Sequence, residues 1–252
     1  SGDRVGGCPG RAVDPTGSNC SAGVNWMQLA AGATSYTVPG TGTITSWTMH
    51  GVPPAGQQFT MKIYRKVAEP ATYQVIGQAG PQTLTTTGIT GNTFGANVRV
   101  KPGDALGFYS PTVSSRCGYP ATGATTFYEA IGGELMPGDS APFEDQPNFG
   151  INIQASFVPD NGFKRVGKVK RNKKKGTATA TFKLPNAGVL SGGGSTKKVK
   201  AAGKAKLKIR ALGSKKQTLN ATGEVNLKVK VAYRPTGGEL RTQKLKVKLL
   251  KG

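Results

Sequence analysis

The stretch "KAKLKIR", Lys204 to Arg210, puts a cation at almost every second position and an apolar residue at each position between. The habit returns in "NLKVKV", Asn226 to Val231, and in "KLKVKL", Lys244 to Leu249. Strand side chains alternate between two faces, whereas a helix repeats every ~3.6 residues. These segments therefore read as strands with one buried and one wet face. Ala205, Leu207, Ile209 and Ala211 point inward from the first. Val225, Leu227, Val229, Val231 and Tyr233 do so from the second, and Leu245, Val247 and Leu249 from the third. Upstream, Ala178, Ala180, Phe182 and Leu184 alternate with Thr177, Thr179, Thr181 and Lys183. Val166 and Val169 anchor a strand before them, and Asn172 to Gly176 reads as the connecting hairpin turn. Five to seven such strands in residues 163–252 predict a small immunoglobulin-like sandwich.

Charge separates this segment from the rest. The chain carries a net +22, yet residues 1–162 hold 8 Lys+Arg against 10 Asp+Glu, a net of −2. Residues 163–252 hold 26 Lys+Arg, 21 of them lysine, against Glu224 and Glu239, a net of +24. Such asymmetry predicts two modules, the basic one facing a polyanion. The boundary falls at "PDNGF", Pro159 to Phe163, where turn residues meet the change of charge.

The predicted polyanion-binding residues are Lys204, Lys206, Lys208, Arg210, Lys228, Lys230, Lys244, Lys246 and Lys248, with Lys173, Lys174 and Lys175 at the hairpin turn. Lysines on exposed strands also discourage edge-to-edge aggregation. Interspersed acids would serve solubility without self-repulsion, however, and here they are almost absent. Lysine excess, few aromatics and no helix-turn-helix or RNA-recognition motif argue against sequence-specific nucleic acid. An anionic cell-envelope polymer or other extracellular polyanion fits better.

The first half also reads as β. An arm of turn formers, residues 1–20, precedes alternating segments such as "FTMKIYRKV", with Phe59, Met61 and Ile63 on one face and Thr60, Lys62 and Tyr64 on the other. "INIQASFV" alternates likewise, and "VRVKPGDALGFYS" turns at Lys101-Pro102-Gly103-Asp104. No window holds apolar residues at helical spacing for three turns. About nine or ten strands predict a jelly-roll-like β-sandwich over residues 21–160, so the whole chain is expected to be all-β.

Cys8, Cys20 and Cys117 are the three cysteines. A bridge from Cys20 to Cys117 closes a longer loop than one from Cys20 to Cys8 and stabilises more. That leaves Cys8 free or available to another chain. Without a CxxC pair, and with His50 the sole histidine, a zinc site is not expected. The loop "PGDSAPFEDQPN" offers Asp139, Glu144 and Asp145 as calcium ligands, though not at EF-hand spacing. No local pattern pairs His50 with a nucleophile, and the spacing of Asp104, Glu129, Glu134, Asp139, Glu144 and Asp145 names no catalytic pair. The chain is expected to be non-catalytic, without a cofactor. Trp26, Trp47 and the tyrosines are either core or a sugar-stacking platform. No run of apolar residues is long enough to span a membrane.

"GKVKRNKKKGTATATFKLPNAGVL", "KKVKAAGKAKLKIRALG" and "LNATGEVNLKVKVAYRPTGGELRTQKLKVKLLK" resemble the Lys-rich Ig-like modules at the C-termini of secreted or surface proteins in high-GC actinobacteria. "GTITSWTMHGVP", "MKIYRKVAEPATYQVIG" and "VRVKPGDALGFYS" are similar to the β-sandwich module that often precedes them. The resemblance implies an extracellular location and a non-enzymatic role, and carries over no catalytic residue. The expected function is electrostatic anchoring at the cell surface or matrix. Two alternatives stand beside it: a subunit of an extracellular fibre or layer, self-assembled through the N-terminal arm, and a carbohydrate-binding module.

Overall fold

Alternating sequence and observed strands coincide in both halves of the computed structural model, which describes residues 3–6, 19–50, 55–85, 92–113, 117–121, 125–146 and 148–252. The fold is all-β and sandwich-like, with antiparallel sheets. It divides into two compact units, Gly2–Val158 and Pro159–Gly252.

The first unit contains β1 (Asp3–Gly6), β2 (Val24–Ala31), β3 (Thr34–Ser35), β4 (Gly42–Met49), β5 (Gln58–Ala68), β6 (Thr72–Thr83) and β7 (Asn92–Val100). There follow β8 (Ala105–Ser110), β9 (Gly118–Pro120), β10 (Thr125–Ile131), β11 (Ser140–Pro142), β12 (Glu144–Asp145), β13 (Phe149–Ile151) and β14 (Ile153–Pro159). Strands of two to four residues, which carry too little alternation to read, account for the excess over the expected nine or ten.

One sheet runs β1-β14-β4-β7 and a larger one β11-β6-β5-β8-β2-β10-β12, with β3 on β2 and a separate pair β9-β13. Their shared core joins Ile44, Trp47, Val98, Ile153 and Phe157 to Trp26, Phe59, Met61, Ile63, Phe108 and Phe127. Ile44 and Trp47 are three apart yet both face inward, because a bulge between Ile44 and Ser46 resets the alternation.

The larger sheet is buried on its second face too. Thr60, Lys62 and Tyr64 are 2%, 0% and 0% exposed. The sheet curls: the Tyr73 ring on β6 lies 5.9 Å from Tyr128 on β10, although four strand spacings of a flat sheet would put them about 19 Å apart. β11 pairs with β6 and β12 with β10, so one short segment bridges the two margins. Between them Phe143 enters the concave face, 5.2 Å from the Tyr64 ring and 5.6 Å from Tyr73.

Lys62 fastens the cover. Its ammonium donates to Gln78 Oε1 at 2.7 Å, to Glu134 Oε1 at 2.9 Å and to the Leu135 carbonyl. Burial lowers its pKa below the ordinary lysine value, and the bond and charge of Glu134 oppose that shift. Asn25 adds two bonds to the same cover, donating to the Gly133 carbonyl and accepting the Leu135 N–H. Directly beside Lys62 stands Gly107, where a Cβ would fall 2.8 Å from the Tyr64 ring.

Cys20 and Cys117, both fully buried, are bonded to each other across 97 residues of sequence. Cys8 lies outside the described residues.

The second unit contains β15 (Lys164–Asn172), β16 (Thr177–Leu184), β17 (Gly188–Gly192), β18 (Ser195–Val199), β19 (Gly203–Arg210), α1 (Gly213–Thr222), β20 (Glu224–Pro235) and β21 (Arg241–Leu250). A three-stranded sheet, β15-β16-β19, faces a four-stranded one, β18-β17-β20-β21. Ala178, Ala180, Phe182, Leu207 and Ile209 from the first meet Leu190, Val229, Val231, Tyr233 and Leu249 from the second. The Tyr233 hydroxyl donates to the Asn186 carbonyl at 2.8 Å, and burial pushes its pKa up to about 12.

One short helix, α1, stands within this otherwise all-β unit. Its residues have no apolar stripe, and Leu219 alone among them is buried. Gly223 ends it in the left-handed conformation, φ 74°, donating to the Leu219 carbonyl. Thr218 and Thr222 return bonds to the carbonyls four residues back. A connection between two sheets, rather than packing of a face, accounts for this helix.

Two predictions follow from these cores. Replacing both bridged cysteines, Cys20→Ser with Cys117→Ser, should cost the first unit about 3–4 kcal/mol through the released loop. Both tryptophans belong to that unit, so their fluorescence during urea unfolding reads the loss, and an unchanged midpoint would contradict it. Tyr233 is neutral in the fold up to about pH 12, whereas its ordinary value is 10.0. Its contribution is thus fully present below pH 10.0 and lost as pH rises toward 12. Tyr233→Phe should lose about 1 kcal/mol near neutrality, and its deficit relative to the native chain should shrink across that alkaline window.

Candidate polyanion-binding faces

Antiparallel register sets directly paired residues on one face of a sheet. On β15-β16-β19 the outer face carries the row Lys164–Lys183–Lys204. The next rows are Val166–Thr181–Lys206, Lys170–Thr179–Lys208 and Asn172–Thr177–Arg210. All seven cations in these rows are exposed. Neighbouring strands lie about 4.8 Å apart and same-face residues along a strand about 7 Å apart, so the charges form a lattice spaced with threonine.

The four-stranded sheet presents a second lattice. Lys228 stands directly opposite Lys246, Lys230 opposite Lys244, and Asn226 opposite Lys248. Arg234 and Lys198 flank Val189 on the same face. Glu224 meets Lys248 at 2.7 Å, the one ion pair of this unit among the described residues. Exposed pairs of this kind contribute roughly 0.2–1 kcal/mol, so repulsion across the Lys228–Lys246 and Lys230–Lys244 pairs is left uncompensated.

The predicted residues therefore fall into three groups. Lys204, Lys206, Lys208 and Arg210 lie on one outer face, while Lys228, Lys230, Lys244, Lys246 and Lys248 lie on the opposite one, across the core. Lys173, Lys174 and Lys175 occupy the turn at one end, where Asn172 Oδ1 accepts the Lys175 N–H at 2.9 Å and Gly176 takes φ 58°. Lys164, Lys170, Lys183, Lys198 and Arg234 join the faces through cross-strand register. Apart from Lys183, which alternation already turns outward on its strand, their own sequence neighbourhoods, read one strand at a time, do not mark them.

Several of the first unit's charged and polar groups are occupied structurally. Asp104, 1% exposed, receives Arg65 Nε at 2.7 Å and Nη2 at 2.8 Å. That bond raises the Arg65 pKa further. His50 Nε2 lies 3.0 Å from Gln154 Oε1, an amide rather than a carboxylate. Partial burial and the neighbouring Glu144 charge raise the Glu129 carboxyl, which accepts a bond from Gln146. The calcium grouping of Asp139, Glu144 and Asp145 does not assemble. Asp139 accepts the Met136 N–H in a turn at the β6 margin, whereas Glu144 and Asp145 pair with β10 at the other margin. Among the described residues no three His, Cys, Asp or Glu side chains converge for a metal ion. Trp26 and Trp47 are 6% and 1% exposed and pack on phenylalanines, so they form core and not a sugar platform. No helix among the described residues is long and apolar enough to cross a membrane.

The uncompensated pairs make a stability prediction. Lys230→Gln should raise the melting temperature of the second unit at low salt, by a few tenths of a kcal/mol. The gain should vanish near ~1 M salt, where screening reaches within about 3 Å. A loss of stability at low salt would show that the pair is not repulsive.

No protein-family model matches this chain, and no curated protein is detectably similar to it.

Proposed function

We propose that the chain is a secreted, non-catalytic protein of the cell surface or matrix whose basic unit anchors it electrostatically to anionic envelope polymers. The observation that carries this reading is the pairing of lysine against lysine on β20 and β21, with one exposed ion pair to offset it. A solubility role needs charge but not like charge face to face; a polyanion laid along the face relieves the repulsion. Two opposed faces let one unit hold two polymer strands. The Cys20–Cys117 bridge supports an oxidising compartment. The strand orders β15-β16-β19 and β18-β17-β20-β21 support an Ig-like assignment for the basic unit. The jelly-roll reading of the first unit rests on its two-sheet packing.

A second reading, the fibre or layer subunit, draws on β1. This short strand from the N-terminal arm lies at a sheet edge and pairs with β14. The same residues offered to β14 of a neighbouring copy would link chains. Polymers that disappear on deletion of residues 1–20 would favour it.

Each unit encloses its own core, so residues 2–158 and 159–252 can be compared directly. The basic unit should bind a purified anionic cell-wall polymer, with log affinity falling linearly and steeply as log salt rises. The neutral unit should not bind. Absence of binding by the basic unit at low salt would overturn the anchoring function.

A further inference from the structure

β21 pairs with β20 along nearly its whole length, but β17 pairs with it only from Ala232 to Pro235. Over Asn226 to Lys230 the other edge of β20 therefore has no strand paired to it among the described residues. Helix α1 packs against β20, and the β17–β18 turn, Gly193-Gly194, leans on the end of β19, where the Arg210 N–H donates to the Gly193 carbonyl at 3.0 Å. The space between them is an open groove of about 640 Å³, within the range of small-ligand sites.

Its lining is chemically one-sided. Arg210 reaches it from the first cationic face, Lys228 and Lys230 from the second, and Lys215 from α1. Asn226 adds an amide, Leu212, Leu227 and Val229 an apolar floor, and no acid contributes. None of the four cations makes an ion pair among the described residues. The two outer faces, separated elsewhere by the core, meet here at one edge. Arg210 supplies the planar fork that binds carboxylate or phosphate through two parallel bonds, which lysine cannot do.

We propose that this groove is a discrete anion-binding site that takes a short run of closely spaced phosphate or carboxylate groups, the unit's specific contact within an otherwise diffuse charge surface. The proposal rests on the polyanion reading and adds a place and a stoichiometry to it. A groove lined by four cations and no acid raises the local field more than a flat lysine lattice does. One oligomer should bind per chain.

The test uses the full chain with two probes, tripolyphosphate and tri-galacturonate, titrated by calorimetry at about 0.15 M salt. Two double variants are compared: Arg210→Gln with Lys228→Gln in the groove, and Lys204→Gln with Lys246→Gln outside it. Both remove two exposed charges, one from each face, so net charge and folding are matched. The expected result is one site for at least one probe, weakened more than tenfold by the groove pair and about twofold by the control pair. The probe that binds tells phosphate from carboxylate. Equal weakening by both pairs would overturn the site. So would absence of trimer binding while a long anionic polymer still binds at low salt, and that outcome leaves the anchoring reading intact. If the long polymer also fails to bind, both readings fall.

Discussion

Antiparallel pairing of β20 with β21 fixes Lys228 against Lys246 and Lys230 against Lys244. The register is not free to avoid this. Slipping β21 by one residue against β20 would turn Leu245, Val247 and Leu249 to solvent. Each such side chain contributes about 1.5–3 kcal/mol by burial, whereas a like-charge pair costs a fraction of a kcal/mol. The core therefore dictates where the lysines stand, and their mutual repulsion is tolerated rather than avoided. What the sequence does choose is the identity of the outward residues. Threonine occupies Thr177, Thr179 and Thr181 on β16 with no loss to the sheet, so lysine on β19, β20 and β21 is not a requirement of the strand.

The same alternation explains what was legible. Period two over eight or more residues marks β16, β19, β20 and β21 and assigns the inner and outer face of each correctly. Loop length favoured the observed Cys20–Cys117 bridge over a short Cys8–Cys20 one. The helix was not legible, because α1 buries one leucine and owes its place to the connection it makes. Nor was the double burial of β5. Thr60, Lys62 and Tyr64 alternate with apolar residues as a wet face would, and only the curl of the sheet and the segment carrying Phe143 bring them inside.

The candidate site was legible in kind and not in arrangement. Lys204, Lys206, Lys208 and Arg210 can be assigned to a face from one strand. That they stand across the core from Lys228 and Lys246 depends on which strands share a sheet, and that information lies in pairing. Lys164, Lys198 and Lys215 became visible only through register and through the groove beside α1. A reader of single strands sees charge density but not convergence.

Lys62 shows by contrast what the exposed lysines lack. One buried ammonium has three acceptors within hydrogen-bond reach, and its desolvation is offset by a carboxylate and an amide placed for it. Arg65 is matched in the same way by Asp104. The fold thus supplies partners where a cation is structural. The cations of the basic unit are given almost none, and one acid among the described residues answers them. Cations are thus matched where they are structural and left open across the basic unit, which is the pattern the proposed polyanion role requires.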